Sequence, residues 1–294
     1  MNASRKTAIV YAFLAACFYA INVPISKLLL AHVGETTMAA LLYLGAGVGI
    51  GILSAFRKKD LSHSDKLSRK DLPYVIGMIL LDIAAPIFLM IGIHKGTSAS
   101  ASLLGNFEIV VTTVIALFLF REAVSGRLWL AIGLITISSI LLSFEGSGSF
   151  DFSYGSIFVI AATVCWGFEN NCTRKISSRN TYEIVVLKGI FSGLGALAIA
   201  FVKFESMPEW KYIAIALILG FVAYGLSIFL YVRAQNVLGA AKTSAYYAVA
   251  PFVGALLSFV ILRETLTWMY LIALAVMIAG TILVVMDTLG RHDT

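Results

Sequence analysis

The same order of apolar segments is written twice along this chain, and each copy holds five of them. Near the start of each copy, Cys17-Phe18-x-x-x-Asn22-x-x-x-x-Lys27 matches Cys165-Trp166-x-x-x-Asn170-x-x-x-x-Lys175 at an offset of 148. Near the end, Arg121-Glu122, Ala131 and Ile140-Leu141 match Arg263-Glu264, Ala273 and Ile282-Leu283 at an offset of 142. Five crossings of a bilayer leave a chain on the far side, so the second copy must enter from the opposite face. That arrangement is the sequence mark of an inverted-repeat transporter.

The membrane itself is implied by composition. With 60% hydrophobic and 13% charged residues and a mean hydropathy of +0.92, the chain lies far from soluble domains, whose charged fraction is about 25%. A helix needs roughly 20 apolar residues to cross the hydrocarbon core. Such stretches are predicted at 8–31, 36–56, 73–93, 98–120, 127–144, 156–174, 182–202, 212–234, 243–262 and 268–286. Helices are required because open strands leave backbone groups unsatisfied in lipid, and no stretch alternates as a barrel strand does. The expected fold is therefore all-α and integral to the membrane: ten transmembrane helices as two inverted five-helix repeats, 8–144 and 156–286.

Placing the N-terminus inside puts 16 of the 22 lysines and arginines on the inner side, among them Arg5, Lys6, the cluster from Arg57 to Lys70, Arg174, Lys175, Arg179 and Arg233. By the positive-inside rule both termini are expected in the cytoplasm, in the cytoplasmic membrane. The net charge of +6 is then a topology signal and implies no nucleic-acid partner. Met1 to Thr7 leads into an apolar run too long for a signal-peptide core, so an uncleaved first helix is expected. Cys17, Cys165 and Cys172 fall in or beside spans and suggest neither a disulfide framework nor a metal site; no cofactor is implied.

Charges inside the spans carry the functional signal. Asp82, Glu108 and Glu169 each cost roughly 2.5–3.5 kcal/mol or more if they face lipid, so they must face a cavity or a partner. Lys188 lies at the depth of Glu169 and can pair with it, whereas Asp82 and Glu108 have no basic residue at their own depth. A carboxylate in a low-dielectric site can exchange a proton for a cation, which suits either a counter-charge for a positive substrate or a proton-coupling site. Around the same depths lie Tyr19, Asn22, Trp166, Asn170 and Asn171, and farther along Tyr224, Tyr231, Tyr246 and Tyr247, which offer cation–π faces and hydrogen bonds. Arg121-Glu122 and Arg263-Glu264, repeated in both copies, are expected to be capping ion pairs. Glycines 45, 47, 49 and 51 are expected to face Gly189, Gly193 and Gly195, and Pro24, Pro86 and Pro251 to kink their helices.

The segment from Ala223-Tyr224 through Ala234, then Leu238-Gly239-Ala240-Ala241-Lys242-Thr243-Ser244-Ala245, Ala250-Pro251 and Leu262-Arg263-Glu264, resembles the second EamA-type domain of the drug/metabolite transporter superfamily. Cys165-Trp166-Gly167 with Asn170 resembles the opening of that domain, and the first copy is similar to its partner. The resemblance implies ten helices, a central cavity lined by spans 1–4 and 6–9, spans 5 and 10 at the periphery, and alternating access with a small metabolite as cargo. The first copy departs from the pattern: the proline of span 9 has no counterpart, and Glu108 sits beside the vacant place.

An enzyme is not expected, because H-E-x-x-H, G-x-S-x-G and Walker A are all absent. The function expected is a secondary transporter of an amine, a quaternary ammonium or an amino acid, with proton coupling and export among the open alternatives. A channel-like facilitator or a non-transporting membrane protein remains the rival. Oligomeric state is not legible.

Overall fold

A computed structural model describes residues 3–56, 66–120, 125–144, 153–238, 240–265 and 267–290. Its regular elements are all helical. They run α1 (Ala3–Ala20), α2 (Asn22–Leu29), α3 (Glu35–Phe56), α4 (Leu72–Lys95), α5 (Ser98–Leu104), α6 (Phe107–Phe120) and α7 (Gly126–Leu142) in the first half. The second half holds α8 (Tyr154–Ile176), α9 (Thr181–Val202), α10 (Trp210–Leu219), α11 (Ser227–Leu238), α12 (Ala240–Tyr247), α13 (Ala250–Leu262) and α14 (Trp268–Gly290). A π-helical segment, Gly220–Leu226, joins α10 to α11.

Eight stretches among the described residues are long and apolar enough to cross a membrane, beginning with Arg5–Leu29 and ending with Trp268–Asp287. The helix α7 is apolar but shorter. In α8 the run Glu169-Asn170-Asn171 dilutes the hydropathy, for a reason that the site makes plain.

Each helix of the first half makes its most extensive described contact with a helix of the second: α1 with α11, α3 with α9, α4 with α8, α5 with α13 and α7 with α14. One hydrophobic cluster accordingly runs through both halves, from Met38 and Leu42 to Ala223 and Met277. Among the described residues, the two smaller clusters also draw on both halves.

The glycines of α3 explain how closely these helices approach. At 100° per residue, Gly45 and Gly49 share one face and Gly47 takes the opposite one. Gly47 meets Gly189 of α9: a side-chain carbon added at Gly189 would lie 2.3 Å from the Gly47 nitrogen. Gly45 and Gly49 instead face Leu217 and Phe221, and Gly195 faces Ile83. The expectation of a single glycine seam is thus corrected, because residues two apart on a helix cannot share a face.

Helix ends are sealed by charges from distant segments. Glu205 accepts from Thr36 N at 3.2 Å and Thr37 N at 2.8 Å, at the start of α3. Glu264 accepts from Ser98 N at 2.8 Å and Ala99 N at 2.9 Å, at the start of α5. Lys27 donates to the carbonyls of Ile93 at 2.6 Å, His94 at 3.2 Å and Gly96 at 2.7 Å, at the end of α4. Each places charge against a helix end of opposite polarity and satisfies groups that the helix leaves over. Glu264 therefore serves α5 and forms no ion pair with Arg263 among the described residues; Arg121 and Glu122 lie outside them.

The helices break where the interior is polar. Span 1 turns at Ile21, just before Pro24; Pro251 stands at the start of α13, after the break that ends α12. Pro86 lies inside an unbroken α4. A further break separates α5 from α6 at Gly105 and Asn106, where no proline marks it.

Gly189→Val should lower the melting temperature of the purified protein by the equivalent of about 1–3 kcal/mol, the range for overpacking a tight contact. An unchanged midpoint would contradict the close approach to Gly47. Burial alone would raise the Glu205 carboxyl, but hydrogen bonds from Lys203, Thr36 and Thr37 hold it down at about 2. A carboxyl lowered in the folded state contributes stability above its unfolded value of about 4.3 and loses it as the pH falls toward 2. Melting temperatures between pH 5 and pH 3 should therefore fall more steeply for the parent than for Glu205→Gln; parallel profiles would refute the cap.

Candidate functional site

Lys188, on α9 beside the Gly47–Gly189 contact, reaches between α4 and α8. Its Nζ lies 3.1 Å from Asp82 Oδ2 and 2.9 Å from Glu169 Oε1, and all three side chains are at least 93% buried. Tyr43 of α3 donates to Asp82 Oδ1 at 2.7 Å, and Thr173, one turn beyond Glu169, donates to Glu169 Oε1. The expected Lys188–Glu169 pair is present. The expectation that Asp82 lacks a basic partner is corrected: the long lysine side chain spans the gap between two acids whose positions along their helices do not report their separation. The Asp82 Oδ2 contact is one of charge, with no directed hydrogen bond to that oxygen. One ammonium thus serves two carboxylates.

Glu108 stands apart from that trio. It occupies the first turn of α6, where the broken helix offers its positive end to a carboxylate. Asn170 donates to Glu108 Oε1, and among the described residues no lysine or arginine forms an ion pair with it. Its neighbour Asn106 is buried with Nδ2 unpartnered.

Aromatic rings connect these groups into one wall. Tyr43 meets Tyr224 at 5.1 Å between ring centroids, and Tyr19 meets Tyr224 at 5.8 Å, Tyr247 at 6.0 Å and Trp166 at 6.4 Å. Asn22 donates to the Tyr224 hydroxyl at 3.3 Å and accepts from Ser26 at 3.0 Å. Tyr231 packs edge-on to Tyr247 at 5.1 Å. Asn22, Tyr43, Asp82, Glu169, Lys188 and Tyr224 form a buried layer, whereas Tyr19, Glu108, Trp166, Asn170 and Tyr247 are partly accessible. The partly accessible side chains come from α1, α6, α8 and α12, so several helices contribute to this layer.

All of Tyr19, Asn22, Asp82, Glu108, Trp166, Glu169, Asn170, Tyr224 and Tyr247 join this wall. Asn171 does not, since it turns back to the Gly167 carbonyl at 2.8 Å, and Tyr246 packs on Phe13 at 5.6 Å toward the outer surface. Tyr43 was not foreseen. Its signal was the small-residue run of α3, which brings the helix close enough for a tyrosine to reach the interior. No group of three or more histidine, cysteine or acidic side chains among the described residues is placed to hold a metal ion.

The EamA-like transporter family matches this chain over residues 6–144 and 153–286. An uncharacterized transporter of Methanothermobacter thermautotrophicus is 24% identical over 289 residues, covering 90% of this chain and 82% of its own. A crystal structure with 17% identity covers 94% of both chains with a TM-score of 0.69, which is a likeness of fold alone.

Removing one partner from a buried ion cluster leaves the remaining charge uncompensated, at a cost of about 3–5 kcal/mol. Lys188→Met should therefore destabilise the detergent-solubilised protein by about that amount, and adding Asp82→Asn should restore part of the loss. Strictly additive losses in the double variant would show that the two groups do not interact.

Proposed function

The chain belongs to the EamA-like transporter family, and from that premise we propose that this multi-pass membrane protein is a secondary carrier of small organic cations, of the amine or quaternary ammonium class. The observation that carries the cargo class is Glu108: a carboxylate on a partly accessible, aromatic wall, hydrogen-bonded by Asn170 and without an ion-pair partner among the described residues. A cation docked there gains a charge partner together with the ring faces of Tyr19, Trp166 and Tyr247. A zwitterionic amino acid fits less well, because both interior lysines are engaged, Lys27 by backbone carbonyls and Lys188 by two acids.

Alternating access follows from the architecture that we infer. Ten spans as two inverted repeats, 8–144 and 156–286, would pair spans 1 with 8, 3 with 6, 2 with 7, 4 with 9 and 5 with 10, the set that a two-fold axis in the membrane plane relates to itself. The contacts of α1 with α11, α4 with α8, α3 with α9, α5 with α13 and α7 with α14 support that reading. So does the repeated break: Asn106 and Ala248, at the offset of 142, each lie between two halves of a broken helix. We further propose that Asp82, Glu169 and Lys188 couple transport to a proton, since one ammonium between two carboxylates leaves a site that a single proton can fill. The orientation adopted is both termini in the cytoplasm, in the cytoplasmic membrane, with export of cargo.

A thermal-shift screen of the purified protein against amines, quaternary ammoniums and amino acids tests the cargo class by linkage. Cations should raise the midpoint, and Glu108→Gln should remove the rise. In proteoliposomes carrying the ligand so found, Glu108→Gln and Asp82→Asn should each slow counterflow at least about tenfold, the value of one charge-assisted hydrogen bond near 1.4 kcal/mol. Glu209→Gln, which breaks only the exposed 2.8 Å pair with Lys211, serves as the control. Parent-like counterflow in both interior variants would refute the assignment.

A further inference from the structure

The π-helical segment and α11 together have two working faces. Tyr224, Ser227 and Tyr231, spaced three and four residues apart, point to the aromatic wall just described, while Phe229 and Arg233, also one turn apart, lie on another face toward α9. The Arg233 guanidinium carbon sits 4.7 Å from the Phe229 ring centroid and 5.7 Å from that of Tyr182. It forms no ion pair with a carboxylate among the described residues. With Arg179, Tyr11, Asn180, Thr181 and Asn236 it lines a pocket of about 440 Å³ between the start of α1, the α8–α9 turn and the end of α11.

The charged groups beside this pocket have different partners. Arg179 is matched by Asp71, with Nε 3.2 Å from Oδ2, and Glu183 is occupied by the Leu67 backbone N–H at 3.0 Å. Arg233 is a partly buried cation with two ring contacts and no ion pair among the described residues. A guanidinium that lines a polar cleft is suited to a bidentate oxyanion such as phosphate. Exposed apolar side chains lie beside the pocket. Val237 on its rim is 51% exposed, and Val10 and Leu14 on the adjoining surface of α1 are 53% and 41% exposed. A ligand with a phosphate head and an apolar tail satisfies both surfaces at once.

We propose that this cleft binds the headgroup of an anionic phospholipid, with the phosphate on Arg233 and the acyl chains along the exposed apolar face of α1 and α11. Its occupant bridges α1, α9 and α11, helices that also carry Tyr19, Lys188 and Tyr231. Lipid bound there therefore braces one end of the helices that frame the carrier site. The proposal does not depend on which cargo the protein moves.

The test is the melting temperature of the full chain in neutral detergent with phosphatidylglycerol, phosphatidylcholine or inorganic phosphate added. Phosphatidylglycerol should raise the midpoint by about 3 °C or more over phosphatidylcholine. Arg233→Gln should lose that increment, and Lys211→Gln, a charge on a remote segment, should keep it. Ser178→Glu, which puts a carboxylate on the exposed rim, should also lose it and decides the matter if Arg233→Gln does not fold. Equal shifts from both lipids, or an increment that survives in the folded pocket variants, would overturn the proposal. So would an equal shift from inorganic phosphate, which would mark an anion site with no need of a lipid tail.

Discussion

Lys188 places one positive charge between the carboxylates of Asp82 and Glu169 inside a protein whose surroundings are hydrocarbon. Each ion alone would cost several kcal/mol to bury, and attraction offsets that cost only if the geometry is close and the remaining lone pairs are used. Tyr43 and Thr173 supply those hydrogen bonds. The cluster therefore ties α4 of the first half to α8 and α9 of the second. Tyr43 brings in α3, which packs closely on α9 at the Gly47–Gly189 contact.

A second consequence follows from broken helices. Interrupting a helix in lipid exposes backbone groups, so breaks are tolerated only where protein or a wetted cavity meets them. The break at Gly105 and Asn106 exposes the positive end of α6 to the interior, and Glu108 occupies that end. The π-helical segment at Gly220–Leu226 swings Tyr224 into the same interior, against Tyr19 and Tyr43.

Much of this was legible in the sequence because membrane burial makes polar residues conspicuous. Asp82, Glu108 and Glu169 stand out in apolar runs, and aromatic and amide residues at matching depths point to the same interior. What escaped depends on quantities that one-dimensional spacing does not carry. The reach of a lysine side chain joins Asp82 to Lys188, whose positions in sequence suggest different depths. Helical phase divides Gly45 and Gly49 from Gly47, although the four glycines read as one stripe. The break before α6 has no proline to announce it, and Glu264 leaves its neighbour Arg263 because the start of α5 offers two unsatisfied N–H groups. Each difference is a long-range demand overriding a local reading.

The central claim is that the wall of Tyr19, Trp166, Tyr247 and Glu108 borders a space open to solvent from one face of the membrane at a time. Its most direct measurement is sided labelling of Tyr19→Cys and Trp166→Cys with a membrane-impermeant maleimide, in a background lacking Cys17, Cys165 and Cys172. Both positions should label from either face of sealed vesicles in turn, with a stabilising cation slowing the reaction, whereas Phe13→Cys on the lipid-facing surface should stay unreactive. Failure of both interior positions to label from either face would mean that the wall is sealed packing, and the carrier account would fall with it.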